Sequence, residues 1–534
     1  MSSPKSNQFH VRDVIVVGGG PCGLAIAARL SEHMPAANFT DDEHQRFHWI
    51  KRHQTSLKNA KTGSEKRQRF ESMSPSNAGL DLLVLDASGN RWMSRWDNLF
   101  KTFDISHLRS PMFFHVDPAE RDGLLAYTYR NDRDKELREI RNCVGKELSK
   151  HQRKKRERQG RQPKRESTID ERDRNDYFVP STPLFSSHCQ CVIDRYQIRD
   201  DIVSHEEVSD IRYGHIQQCP AEDKIFTIQT NKCTHYARFV ILAIGGNPPQ
   251  IPCSLTDMES EGATHAMHIK ELPPLYMADK RKTNIVIVGG GLTSAQIADL
   301  AIRRGVAKVW LLMRGDYKIK PFDIDLEWVG KWRNREQAQF WNLETHEQRW
   351  RKIREARNGG SITDPYKKVL KKHESSGHLS ILRFTTIGTK RWNVDSKTWT
   401  VTLSGKQEQL PPIDHIYYAT GVQNDFAGLP FLRTMLSQYP IDICGGLPCI
   451  TDNMAWREDV PLLVTGRFAA LQLGPGAPNL IGARIGADRV AWSIQDALDP
   501  SDTRSPSYCS DRRFNYLTGR GSRFDALFDA TYSA

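Results

Sequence analysis

Gly18, Gly20 and Gly23 stand as G-x-G-x-x-G in the stretch VIVVGGGPCGLAIAARL, residues 14–30. Glycines at that spacing let a backbone come close to a pyrophosphate. The first permits a tight turn and the second removes a Cβ that would hold the phosphates off. The third lets a helix pack closely on the preceding strand, so that the helix N-terminus faces the phosphates. The chain offers the same chemistry again in IVIVGGGLTSAQIADL, residues 285–300. There Gly289 and Gly291 make the turn, and Ser294-Ala295 take the place of the third glycine. One polypeptide with two such turns implies two bound dinucleotides.

Each unit also needs a residue at the end of its second strand to read the ribose. In the second unit VWLLM, from 309, runs into Arg314. A carboxylate there binds a bare ribose and repels a 2′-phosphate, whereas a guanidinium does the reverse with bidentate geometry. Arg314 therefore points to NADP(H); an ordinary strand-end surface arginine is the alternative. In the first unit the expected place, about 20 residues on, holds no strand. Residues 36–75 are polar, charged and histidine-rich, and the strand arrives late as Leu82-Leu83-Val84-Leu85, ending in Asp86. Asp86 is the expected ribose carboxylate, and 36–75 a surface insertion. His33, His44, His48 and His53 lack a tight ligand cluster and read as solvated insertion residues.

The elements that must position these residues follow from apolar runs. Val14–Val17 and Ile285–Val288 are continuous apolar segments suited to central parallel strands, each followed by an apolar-faced helix. FVILAIGG, 239–246, is a strand running into a glycine turn, and IYYATG, 416–421, repeats the design and ends in Gly421. PLLVTGRFAALQLGPGAPNLIGARIGADRVAW, 461–492, reads as strand, glycine-rich loop and helix, with Gly466, Gly474 and Gly476 permitting close approach to a cofactor. The fold class is α/β, two Rossmann-like domains with the second inserted into a discontinuous first. The expected boundaries are 1–252 and 415–534 for the first domain and 280–414 for the second. The expected crossings are 253–283 and 404–414. Charged insertions are expected near 36–75 and 130–175, and a loosely ordered tail over 499–534.

Composition narrows the class. At 534 residues with 38% hydrophobic and 9% aromatic content, the chain suits a globular protein of two or three domains. No signal-peptide core or bilayer-length apolar run is present, so the expectation is a cytoplasmic protein without a membrane partner. Much of the net charge of +12 sits in HQRKKRERQGRQPKR, from 151, with eight Lys or Arg and one Glu. Such a run reads as a solvated insertion, with nuclear import as the alternative, and nothing around it resembles a nucleic-acid-binding module. No C-x-x-C occurs; Cys189-x-Cys191 and the C-x4-C of Cys444 and Cys449 lie far from the first turn and read as buried or loop thiols. Oligomeric state is not legible.

Two glycine turns in this order, ATG-type strand ends and a split first domain resemble the two-dinucleotide-binding flavoproteins. That resemblance implies FAD in the first site and NADPH in the second. Within that group LRSPMFFHVDP, 108–118, and DYFVPSTPLF, 176–185, are similar to segments of the flavin-dependent monooxygenases that N-hydroxylate ornithine or lysine, and to related fungal FAD/NAD(P)-binding proteins. The implied reaction is insertion of one oxygen atom from O2 into a small-molecule substrate through a peroxyflavin. Arg109 and His115 are the candidates for lining that site, with simple fold support as the alternative for each. The chain departs from the flavin-containing and Baeyer–Villiger fingerprint, since EGATHAMHIKELP has His265 and His268 without the preceding Phe. Two other readings stay open. One is an NAD(P)H:acceptor flavin oxidoreductase; the other is a regulatory FAD/NAD(P)-binding protein with weak turnover, a plan shared by the oxidative-stress-induced growth inhibitor family.

Overall fold

The computed structural model describes residues 10–32, 80–141, 169–217, 224–245, 258–273, 283–330, 333–404 and 409–498, with scattered residues between them. The histidines at 33, 44, 48 and 53, most of the basic run from 151, and the tail from 499 lie outside the described residues.

The first unit opens with β1 (Val11–Val17), α1 (Pro21–Ser31) and β2 (Leu82–Asp86). The chain continues through β3 (Val203–His205), β4 (Val208–Gly214), β5 (Ile225–Thr230) and β6 (Thr234–Leu242). β1 lies between β2 and β6 and pairs with both in parallel, which buries Val14, Ile15 and Val16 completely and explains why that run carries no polar alternation. β4 and β5 extend β6 as an antiparallel ribbon.

The second unit has β7 (Ala263–His265), β8 (Asn284–Val288), α2 (Leu292–Arg303), β9 (Lys308–Met313), α3 (His346–Arg357), β10 (Leu379–Arg383) and β11 (His415–Tyr418). Its five strands form one parallel sheet in the order β10-β9-β8-β11-β7. Two expected boundaries therefore move. Residues 415–418, assigned to the first domain from sequence, pair with β8, and 263–265, taken as part of a crossing, pair with β11. Apolar strand ends look alike in both units, and only pairing reveals which sheet a strand joins.

The chain then returns to the first sheet through β12 (Ala455–Arg457) and β13 (Val460–Val464), the latter parallel to β6. It finishes in α4 (Leu480–Leu498), which packs along α1. Arg29 Nε donates to Asp488 Oδ1 at 2.5 Å across this buried helix pair. Splitting one sheet between the two ends of the chain makes its halves depend on each other.

The turns repeat one geometry. Gly18 has φ +112° and its missing Cβ would lie 2.6 Å from the Ala243 carbonyl oxygen; Gly289 has φ +148° and its missing Cβ would lie 2.3 Å from that of Ala419. Glycine is obligatory on both grounds. Gly289→Ala should destabilise the protein by more than about 3 kcal/mol, because a left-handed backbone and a backbone clash act together. Gly305→Ala, at φ +93° in open space, should cost only about 1–2 kcal/mol. Denaturant unfolding of both variants checks this, and equal losses would contradict the packing account.

Candidate active site

Both nucleotide turns present uncapped helix ends. α1 begins after Gly20 and α2 after Gly291, and neither N-cap makes a side-chain hydrogen bond. The orphan amides of each first turn are therefore donors suited to phosphate. At Gly20 a Cβ would meet nothing within 4 Å, so the space a pyrophosphate needs is open. Gly23 is different: its Cβ would fall 2.0 Å from the Gly18 carbonyl oxygen, so its role is close packing. Asp86 is buried at the end of β2, and its Oδ2 accepts from Gly19 N at 2.6 Å. That places its carboxylate beside the first turn, where a ribose hydroxyl would lie. These residues fit FAD.

In the second unit, Ser294 Oγ donates to Gly291 O at 2.7 Å, so the substitute for the third glycine ties the turn by a hydrogen bond. Arg314 is exposed at the end of β9 and lines a cavity of about 2280 Å³ that also touches Gly289, Gly291 and Gly421. The volume is well above the roughly 300–1,000 Å³ of a single small-ligand pocket and has room for a dinucleotide with substrate beside it. Gly421, at φ +83°, accepts from His265 Nε2 at 3.0 Å. His265, singled out as part of a broken fingerprint, thus holds the β11 strand end at the cavity wall. These residues fit NADP(H).

The cavity reaches Arg467, which follows Gly466. A Cβ on Gly466 would lie 2.9 Å from Cys22 Sγ in the first turn of α1, so the cavity's far end lies next to the first nucleotide site. Gly18 to Gly23 do not line the cavity. Gly476 does not line it either and packs near Ile481; Gly474 lies near Phe340 and Trp328.

The segments 108–118 and 176–185 run side by side. Leu108 N donates to Pro180 O at 3.1 Å and Met112 N to Asp176 O at 3.2 Å. Arg109 lines the cavity, but its guanidinium is already engaged: it donates to the carbonyls of Lys320, Pro321, Phe322 and Ser361 and to Ser361 Oγ. Burial lowers it to about 10, opposed by the charge of Asp323. Arg109 is therefore a clamp from the first unit onto two loops of the second. One of those loops carries Gly360, whose Cβ would come within 3.2 Å of Gly291 Cα.

His115 does not line the cavity; it is fully buried, with Nε2 donating to Arg121 O at 2.7 Å and Nδ1 accepting from Asp117 N at 3.2 Å. Burial first, then the charge of Arg484, holds it well below the usual imidazole range. Its place is fold support, because a ring with both nitrogens satisfied inside a core has no proton to exchange with substrate. Nearby His188 is buried with neither ring nitrogen hydrogen-bonded among the described residues, and burial pushes it down to about 4.

Sequence reasoning missed the residues that close the cavity's inner end. Arg357, at the end of α3, pairs with Asp323 at 2.6 Å and donates to Pro475 O at 2.9 Å. Asn479 Nδ2 donates to Asp323 Oδ1 at 2.9 Å. This network fastens the loop before α4 to the second unit. Among the described residues Arg467 has a single hydrogen bond, to Asn424 Oδ1 at 3.3 Å, and burial lowers it to about 10. No spacing rule links these positions.

Residues 176–424 match the family model described as L-lysine 6-monooxygenase/L-ornithine 5-monooxygenase. The fold is that of the N-hydroxylating flavin monooxygenases. Among solved structures, the chain is similar to an ornithine N-hydroxylase from Kutzneria sp. 744, at 15% identity and TM-score 0.59 over 92% of this chain and 100% of that one. Ornithine hydroxylase from Pseudomonas aeruginosa gives 17% identity and TM-score 0.59 over 92% and 100%. L-lysine 6-monooxygenase from Pseudomonas syringae gives 15% and 0.56 over 91% and 100%. No curated protein matches the chain. The α/β fold expected from the sequence is the fold of these structures, and the expected resemblance to two-dinucleotide flavin monooxygenases agrees with the family model matched over 176–424. No described helix is long and apolar enough to cross a membrane.

Two outcomes are expected. Arg314→Ala should weaken NADPH roughly tenfold to a hundredfold, the loss of one charge-assisted pair, and leave NADH nearly unchanged. Arg109→Ala should weaken both cofactors alike; steady-state KM values for each cofactor separate the two patterns. The second outcome concerns pH. His188 has a depressed folded-state pKa, so the unfolded chain takes up its proton first on acidification. The stability it contributes is complete above about 6.5 and is lost as pH falls toward about 4. His188→Phe should flatten that part of the stability profile in denaturant titrations, and an unchanged slope would count against it.

Proposed function

We propose that this monooxygenase oxygenates a small amine that also carries an anionic group, using NADPH as reductant. The amine is taken from the description of the matching family. The anionic group rests on Arg467. Its guanidinium lines the cavity beside Gly466 with only one hydrogen bond among the described residues, and Arg357 lines the same cavity. A part-buried guanidinium with spare donors favours a carboxylate or phosphate partner. FAD and NADPH, when bound, supply the hydride and oxygen chemistry. The chain's own share is to bind, orient and exclude water. The loops held by Arg109 cover the second turn, and the Asp323, Arg357 and Asn479 network closes the inner end. Among the described residues no cysteine lines the cavity, which favours oxygen insertion over electron transfer to a disulfide.

Purified protein should oxidise NADPH in air and form hydroxylated product in step with NADPH consumed when given amino acids with a side-chain amine. The matching diamines without a carboxylate should react with a KM at least tenfold higher. Arg467→Gln should raise KM for the carboxylated substrates and leave the diamines unchanged. Recovery of every NADPH electron as hydrogen peroxide, or in quinones, across amine, ketone and sulfide panels would overturn the oxygenase assignment. Equal KM values for both amine classes would overturn the anionic-group assignment alone.

A further inference from the structure

Glu206, Cys233 and His235 meet on the first unit, and none of them lines the cavity. Glu206 follows β3 directly, and its amide donates to Asp86 O at 3.1 Å. Cys233 lies in the turn between β5 and β6, and His235 is the second residue of β6. His235 Nε2 is 2.9 Å from Glu206 Oε2, Cys233 Sγ is 3.3 Å from the same nitrogen, and Sγ is 3.7 Å from the same oxygen. All three ligand atoms thus point at one spot.

We propose that these three side chains form a binding site for a zinc-class divalent metal ion. Thiolate, imidazole and carboxylate are zinc's usual ligand types, with bonds of about 2.3, 2.0 and 2.0–2.2 Å. Tetrahedral placement at those lengths sets the ligand atoms roughly 3.3–3.6 Å apart. Two of the three measured separations lie within a few tenths of an ångström of that range. The third, nitrogen to oxygen, is the hydrogen-bond distance a shared proton gives, and it widens when a metal replaces the proton.

The arrangement is unlike a thiol–imidazole–carboxylate relay, in which the thiol and the carboxylate use different ring nitrogens. Here both converge on Nε2. The supporting contacts are also in place. Ser204 Oγ donates to Glu206 Oε1 at 2.6 Å and Thr230 Oγ1 to Oε2 at 2.6 Å, fixing the carboxylate. Thr230 Oγ1 accepts from the amides of Lys232 and Cys233, at 3.1 and 3.0 Å, fixing the turn that carries the thiol. Hydrogen-bonded support of this kind is what orients metal ligands. His235 is 17% and Glu206 6% exposed, and Cys233 is half-buried, so the cluster reaches the protein surface. A bound ion would join the β3–β4 connection to the β5–β6 turn, next to the strand that ends in Asp86.

The test is cobalt(II) titration of full-length, chelator-stripped protein with its flavin in place. One equivalent of Co2+ should give tetrahedral d–d bands with a thiolate-to-cobalt charge-transfer band, and Zn2+ should displace it. Cys233→Ser should remove the charge-transfer band, and His235→Ala should weaken binding at least tenfold, both with unchanged flavin content. X-ray absorption of the zinc-loaded wild type should show one sulfur ligand, a result independent of any variant. Absence of the charge-transfer band in the wild type, or its survival in Cys233→Ser, would overturn the proposal.

Discussion

Two carbonyl oxygens set the architecture. Those of Ala243 and Ala419 each press on the first glycine of a nucleotide turn, at distances no side chain tolerates. Each contact joins the end of one parallel strand to the turn that follows the neighbouring strand. The backbone pairing is the same in both units: Gly18 N donates to Leu85 O and Ala243 N to Val17 O, as Gly289 N does to Leu312 O and Ala419 N to Val288 O. The repeated geometry leaves the N-cap of each following helix without a side-chain hydrogen bond, an end suited to a phosphate.

What distinguishes the units is the residue at the end of the second strand and how the units meet. Asp86 is buried against the first turn, and Arg314 stands exposed at the second. Opposite charges thus stand at equivalent places, which suits the two turns to different dinucleotides. The units are then fastened by charged side chains spanning their junction. Arg109 reaches from the first to the carbonyls of the second, while Arg357 and Asp323 reach back to Pro475 and Asn479. Charge-assisted hydrogen bonds to backbone fix position strongly without restricting which apolar residues line the space between.

Arg109 and His115 show how a resemblance can find the right segment and leave the roles open. Both lie in the stretch similar to the monooxygenases, and that stretch does border the cavity. Yet Arg109 spends its donors on four carbonyls and a hydroxyl, and His115 is enclosed in the core. Residue type announces what a side chain can do. Its neighbours decide whether it is free to do it.

The glycine spacings, the apolar runs at 14–17 and 285–288, the late strand ending in Asp86 and Arg314 after the fifth apolar residue of VWLLM were all readable from the chain alone. Each is a local pattern whose physical meaning is complete within one strand, turn and helix. The assignment of 263–265 and 415–418 to the second sheet was not readable, because strands of either unit carry the same apolar signature and only hydrogen-bond pairing separates them. Nor were Asp323, Arg357, Arg467 and the cluster of Glu206, Cys233 and His235. These residues come from elements far apart in sequence, and their chemistry exists only where folding brings their polar atoms within a few ångströms of one another.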